Sequence, residues 1–287
     1  MSILTEIIAH KKTEIAALDV QALRHAAESS PAPRDFRPAI SPLRFALSGA
    51  TNDLRGAQSK RGVSLIAELK RASPSKGILA PHLDLSQVAD IYAENGASAI
   101  SVLTDEKFFL GNLETLRELR FERKSALPLL RKDFIIDEVQ LYESRAAGAD
   151  AVLLIAAALP DDRHFADLHA LTLELGLTPL VEVHDEFETE RALKLKDVSL
   201  IGINNRNLAT FEVSLETTER IRPMISEEIT VVAESGIFTA QDVERLAQVK
   251  VDAILVGEAL VTSDDIGEKV RELSGKESQK SKASSLL

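Results

Sequence analysis

The chain contains no cysteine and no tryptophan. Without cysteine there is no disulfide framework, no thiolate chemistry and no Cys-based metal site. Long apolar runs are also missing, since no stretch approaches the ~20 residues that span a bilayer. The opening segment, MSILTEIIAHKKTEIAAL, is amphipathic and broken by charge, unlike the apolar core of a signal peptide. Positive charge is in deficit: 34 Lys and Arg against 45 Asp and Glu leave a formal net charge of −11. That balance argues against nonspecific binding to nucleic acid or acidic membranes, but it leaves room for a local pocket for a small anion. No G-x-x-x-x-G-K-[ST] loop, G-x-G-x-x-G turn or G-x-S-x-G elbow occurs. The histidines (His10, His25, His82, His164, His169 and His184) lack metal-ligand spacing. The expectation is a soluble, cytoplasmic protein with no metal site and no nucleotide motif.

What the chain has is eight short apolar runs: VSLIAELK (63–70), SAISVLT (98–104), ALPLLRKDF (126–134), ADAVLLIAA (149–157), TPLVEV (178–183), SLIGIN (199–204), ITVVAES (229–235) and DAILVGE (252–258). Strands that are apolar throughout are buried on both faces, and helical spacing fills most of the intervals. Asp84, Asn112, Asp137 and Thr239 stand as N-caps, and Gly148 and Gly176 as stops. The pattern predicts a single (β/α)₈ TIM barrel, and the 287 residues suit one barrel of ~250 with an N-terminal helical extension. The divisions expected are an extension over 1–60, the barrel over 61–273 and a disordered tail over 274–287. Leu4, Ile7, Ile8, Ile15 and Leu18 repeat at helical spacing, and three prolines follow in SSPAPRDFRP. This segment reads either as a dimerisation arm or as a lid over one barrel mouth; a lid, reaching through about residue 40, is the expectation carried forward, with a monomer favoured.

In this fold chemistry sits at the C-terminal ends of the strands. Glu68 and Lys70 close the first run at i and i+2, on the same side of the strand, where an acid and a base tune each other. Lys132 is expected at the end of the third strand, with a snorkelling surface role as the bland alternative to a general acid or a Schiff-base nucleophile. Its neighbours Arg131 and Asp133 have the opposite parity and are expected to pair outside the mouth. Glu182 stands between Val181 and Val183, an expensive place for a carboxylate unless it is paired or working. Asn204 opens INNRNL, which offers Asn205, Arg206 and Asn207 as orienting groups or turn caps. Glu234, Ser235 and Gly236 follow the seventh run and Gly257 the eighth, where glycine lets backbone N–H groups approach a phosphate.

The blocks IAELKRASPSKG (66–77), AISVLTDEKFFLGN (99–112), LLRKDFIID (129–137), GADAVLLIAA (148–157), PLVEVHDE (179–186), IGINNRNL (201–208), VAESGI (232–237) and LVGEALV (255–261) resemble indole-3-glycerol phosphate synthase in order and spacing. The resemblance implies a cofactor-free ring closure in tryptophan biosynthesis. In it, 1-(2-carboxyphenylamino)-1-deoxyribulose 5-phosphate becomes indole-3-glycerol phosphate, losing carbon dioxide and water. It implies catalytic roles for Lys132 as general acid, Glu182 as general base, Lys70 paired with Glu68, and Asn204 as an organising amide. Ser73, Phe109, Phe134, Arg206 and Glu234 would contact or support the substrate, and Ser235, Gly236 and Gly257 would take its phosphate. Where serine is common in the family after the glycine of the last strand, this chain has Glu258, expected to point away from an anion.

Three other readings are open to the same residues. Phosphoribosylanthranilate isomerase typically works through Cys and Asp, and this chain has no cysteine. A Schiff-base aldolase would leave a lysine adduct that borohydride traps. A noncatalytic barrel would have lost the ionisable residues at its strand ends.

Overall fold

Residues 2–41, 62–74, 76–80, 83–208 and 210–276 are described in a computed structural model. Eight parallel strands close into a barrel: β1 (Ser64–Leu69), β2 (Ala99–Leu103), β3 (Leu129–Lys132), β4 (Ala151–Ile155), β5 (Thr178–Val183), β6 (Leu200–Asn204), β7 (Thr230–Glu234) and β8 (Ala253–Val256). Each lies within one of the apolar runs, and β1 closes the ring by pairing with both β2 and β8. Seven of the runs overshoot their strands by one to three residues at one or both ends, where the flanks belong to loops, and TPLVEV coincides with β5.

Alternation along each strand separates two apolar layers. Leu65, Ala67, Val102, Leu129, Val181, Ile203 and Ala233 face outward into the core shared with the helices. Ile66, Leu130, Leu153, Leu180, Val232 and Leu255 face inward and fill the lumen. The same inward parity carries Glu68, Lys132, Glu182, Asn204 and Glu234 one level higher, to the C-terminal mouth.

Capping side chains set where the crossover helices begin. Asp84 accepts from Ser86 and Gln87 N–H at the head of α4 (Leu85–Asn95), and Asn112 opens α5 (Leu113–Arg117). Asp137 caps α6 (Glu138–Ala146), Asp161 caps α7 (Asp162–Glu174) and Asp185 caps α8 (Glu186–Ala192). The sixth crossover, α9 (Glu216–Ile221), is short, and a 3₁₀ turn containing Pro223 takes over from it. Thr239 and Asp242 form a reciprocal capping box on α10 (Ala240–Gln248). The last helix, α11 (Ile266–Ser274), includes Ser274 and ends at Gly275 in the left-handed conformation. The expected tail boundary at 274 therefore falls inside a helix, and residues 277–287 of that tail lie outside the described residues.

The N-terminal segment differs from the expectation. It forms α1 (Ile3–Ile15), α2 (Val20–Ser29) and α3 (Phe36–Ile40), and residues 42–61 are outside the described set. Only α1 lies at the catalytic mouth, where Ile3, Leu4 and Ile7 line the cavity. Helix α2 runs down the side of α6, with Arg24 paired to Glu138 and Arg145 donating to the Ser30 and Pro31 carbonyls. Helix α3 sits at the opposite end. Phe36 and Ile40 are fully buried, packed on β1 and β2 and joined to the lumen cluster beside Ala99, Ala151 and Ala253. Arg34 holds Asp150, the residue before β4, through contacts of 2.6–3.2 Å, and Ser41 donates to Asp252, the residue before β8, at 3.0 Å. Phe36 thus plugs the N-terminal mouth and contributes nothing to a lid.

Candidate active site

One cavity occupies the C-terminal mouth. Its walls include Glu68, Lys70, Ser73, Phe109, Lys132, Phe134, Glu182, Asn204, Arg206, Glu234, Ser235, Gly236 and Gly257. All thirteen residues singled out from the sequence meet there, brought from seven strand ends and the loops beyond them.

Lys132 is at the centre. Its Nζ lies 2.9 Å from Glu182 Oε2 and 3.1 Å from Glu234 Oε2. Burial works against the ammonium, but Glu182, Glu234 and Glu68 more than offset it and raise the Lys132 pKa above its ordinary value. Burial favours neutral Glu182 too, yet Lys132 and the nearby His184 hold this carboxyl well below the usual range. Glu234 goes the other way. Burial and the negative charge of Glu182 push it up to about 8, so it keeps its proton at neutral pH. Two carboxyl groups on one lysine thus take opposite protonation states, the condition that separates a base from an acid.

Glycine makes room for these side chains. A Cβ at Gly202 would come within 2.3 Å of Glu234 Oε1, and one at Gly257 within 2.5 Å of Glu68 Oε1. Glu68 in turn pairs with Lys70, the same-side acid and base expected from their spacing. Asn204 donates to Glu182 Oε1 at 3.2 Å and accepts from the Arg206 N–H at 3.0 Å. Asn205 and Asn207 are turn caps. Asn205, buried, ties the Glu234 and Ser235 carbonyls to Thr218, and Asn207 accepts from Thr210 N–H.

The direction of Lys132 is fixed from behind. Arg131 and Asp133 pair at 3.0 Å, as expected, but they are buried rather than at a solvated rim. Asp133 also accepts from Thr104 at 2.6 Å and holds Lys11 of α1 at 2.9 Å; Lys11 reaches Asp105 at 3.0 Å as well. Burial would raise the Asp133 pKa, but the Arg131 and Lys11 cations bring it down to about 2. The helix over the mouth is therefore bolted to the residue next to Lys132. On the apolar side, Phe109 and Phe134 stand with ring centroids 6.0 Å apart, tilted by 39°.

At the far wall Ser235 and Gly236 both have positive φ, 65° and 76°. Glycine enters that region freely, whereas serine there carries strain of ~1–2 kcal/mol. Glu258 does not point away. It lines the cavity, with Lys76 Nζ at 3.5 Å and Arg206 Nη2 at 3.8 Å, because two cations at the rim attract it inward. Sequence reasoning also passed over His184, whose parity with Glu182 was the available signal.

Together, the closed parallel barrel and the buried lysine and carboxylates at its strand ends define a (β/α)₈-barrel enzyme with an acid–base site. Solved barrels share the fold. The 3-hexulose-6-phosphate synthase of Salmonella typhimurium superposes with TM-score 0.58 at 17% identity, covering 74% of this chain and 97% of that one. A tryptophan synthase complex structure from Pyrococcus furiosus gives 0.55 at 19%, covering 76% and 100%. Sequence goes further. The family profile described as indole-3-glycerol phosphate synthase matches residues 4–273. Curated proteins of that name from Roseiflexus sp. (strain RS-1) and Desulforamulus reducens are 48% and 47% identical. They cover 96% and 94% of this chain and 98% and 90% of their own lengths. One from Dehalococcoides mccartyi is 55% identical over 74% of this chain and 82% of its own. The chain belongs to the indole-3-glycerol phosphate synthase family, and is a lyase.

Proposed function

We propose that the chain closes the indole ring of 1-(2-carboxyphenylamino)-1-deoxyribulose 5-phosphate and releases carbon dioxide and water. The observation that carries this reading in the geometry is Lys132, held between an ionised Glu182 and a protonated Glu234 at the base of the cavity. In the reaction, the ring carbon bearing the carboxylate attacks the ketose carbonyl. The carbonyl oxygen gains negative charge and becomes basic enough to take the proton of Lys132, leaving a hydroxyl. Carbon dioxide then departs with its bonding electrons left in the ring, and water is lost as the new hydroxyl leaves together with a proton from the adjacent carbon that bears the nitrogen. Glu182 serves that dehydration as the base.

The remaining residues position the substrate. Phe109 and Phe134, with Ile3, Leu4 and Ile7 of α1, supply apolar walls for the benzoate ring. Ser235, Gly236 and Gly257 lie across the cavity, on the side suited to the phosphate. Lys70, Ser73 and Arg206 bring hydrogen-bond donors to the substrate from the loops. Holding both anionic ends presses the ring against the carbonyl, and such positioning can lower a barrier by ~7–11 kcal/mol.

We also read the chain as a cytoplasmic monomer. The apolar stripe of α1 is spent on its own barrel, and among the described residues no helix is long and apolar enough to cross a membrane. Sedimentation equilibrium tests the monomer. Incubation of the purified chain with the carboxyphenylamino substrate tests the activity, read by the rise of indole fluorescence. With no tryptophan in the chain the background is low. Absence of an indole product would reject the assignment.

A further inference from the structure

His184 follows Glu182 by two positions, just past the end of β5, yet it does not line the cavity. Its side chain is 10% exposed. Nδ1 lies 3.0 Å from Glu188 Oε2, and the His184 backbone N–H donates to the same oxygen at 2.8 Å. Glu188 is itself fixed in the first turn of α8, its N–H donating to the capping carboxylate of Asp185 at 2.8 Å. The imidazole is thus held at ring and backbone by the scaffold. Its other nitrogen, Nε2, faces Glu182 Oε1 at 3.3 Å.

Glu182 is therefore gripped on both oxygens. Lys132 takes Oε2 at 2.9 Å, while Asn204 and His184 share Oε1 at 3.2 and 3.3 Å. The titratable groups around the pair are Lys132 from β3, Glu234 from β7 and Glu188 from α8. Of these, only Lys132 is a cation, and it is the group that must turn to the substrate. Once it does, a buried carboxylate with only an amide beside it would rise in pKa and lose its aim.

We propose that His184 is a positioning residue for Glu182, an imidazolium anchored by Glu188 that keeps the carboxylate oriented and ionised while Lys132 serves the substrate. The proposal rests on the assignment of Glu182 as the base. It gives the chain a carboxylate–imidazole–carboxylate line, Glu188–His184–Glu182, running from the scaffold to the reacting centre. Burial alone would lower the His184 pKa, but the hydrogen-bonded Glu188 and the nearby Glu182 carboxylate take it up to about 10.

The test is the pH profile of kcat for H184A, H184Q and E188Q in the full chain. H184A should lower kcat by ~10- to 100-fold, the scale of a misaligned catalytic group, with a smaller change in KM. Its acid limb should move to higher pH, because Glu182 without a neighbouring cation binds its proton more tightly. H184Q, with a neutral donor, should recover part of kcat and leave the limb displaced. A limb unmoved in the variants that fold, whatever happens to the melting temperature, would show His184 to be only a structural pair. Should H184A not fold, H184Q and E188Q read the same limb. Nitrogen-15 shifts of the His184 ring in the substrate-free wild type give a second readout, independent of turnover. A doubly protonated ring through neutral pH supports the proposal, and a ring that loses its proton below pH 7 overturns it. If the wild type turns over no substrate, the assignment of Glu182 falls, while the ring shifts still report on the pair.

Discussion

Lys132 Nζ sits 2.9 Å from Glu182 Oε2, so the acid and the base of the proposed reaction begin as one ion pair. Each holds the other in its charged form until a substrate separates them. This arrangement avoids leaving either charge alone in a buried site.

Lys132→Met keeps the length of the stem and removes the transferable proton. Turnover should fall by at least the ~10²–10⁴-fold that a positioned acid contributes, with the far-ultraviolet circular dichroism unchanged. Retention of a tenth of the wild-type kcat would show that another group protonates the carbonyl.

Glu182→Gln is nearly isosteric and keeps an oxygen for Asn204. We expect kcat to drop far more than KM rises, since proton transfer is lost while packing persists. A rise in KM at constant kcat would reduce Glu182 to a binding group.

Stability should decline as pH rises from mildly acid to mildly alkaline. Glu234 has its folded pKa raised from 4.5 to about 8, so between these values the native state binds more protons than the unfolded chain. That contribution is fully present below 4.5 and is lost as pH rises through about 8. Glu234→Gln should lessen this decline, most clearly between pH 4.5 and 6.5, below the range where His184 contributes in the same direction, and an unchanged slope there would place the titration elsewhere.

Glu258 competes with an incoming anion for Lys76 and Arg206. Glu258→Gln should bind inorganic phosphate about two- to fivefold more tightly at low salt, the range expected from a partly exposed ion pair. The gain should shrink as salt is raised. Calorimetric titration at two ionic strengths checks this, and weaker binding by the variant would mean that Glu258 organises the cations rather than occupying them.

Two N-terminal truncations should behave differently. Deleting residues 2–15 removes α1 alone, and with it the Ile3, Leu4 and Ile7 wall and the Lys11 bridge, so KM should rise in a barrel that still folds cooperatively. Deleting residues 2–40 also strips Phe36 and Ile40 from the far mouth, exposing the lumen. Loss of a buried Phe alone costs ~3–5 kcal/mol, so this form should melt far earlier or fail to fold. Equal melting of the two forms would contradict the plug.

Strand parity made the floor of the site readable. Glu68, Lys132, Glu182, Asn204 and Glu234 end apolar runs on the inward phase, and a two-residue period needs no knowledge of distant contacts. The same parity separates Arg131 and Asp133 from Lys132, although not their burial under α1, which depends on where a helix over a hundred residues away comes to rest. Phe36 was illegible for the same reason. An apolar stripe shows that a segment must cover something, not which of two mouths it covers. The orientation of Glu258 is not legible in the sequence, because it follows from Lys76 and Arg206, cations brought to it by separate loops. His184 carried the right parity, but Glu188, the partner that fixes its ring, acts through a helix cap.

The path of the N-terminal segment has a consequence for the order of assembly. Arg34 meets Asp150 across 116 residues, and Ser41 meets Asp252 across 211. Arg34 and Ser41 are made well before their partners, and their seats form only after β4 and β8 have followed and the ring has closed. Such distant pairings carry the largest loop-closure entropy and form slowly. This segment is thus made before the barrel but docks on it late, and the N-terminal mouth stays open until Phe36 enters it.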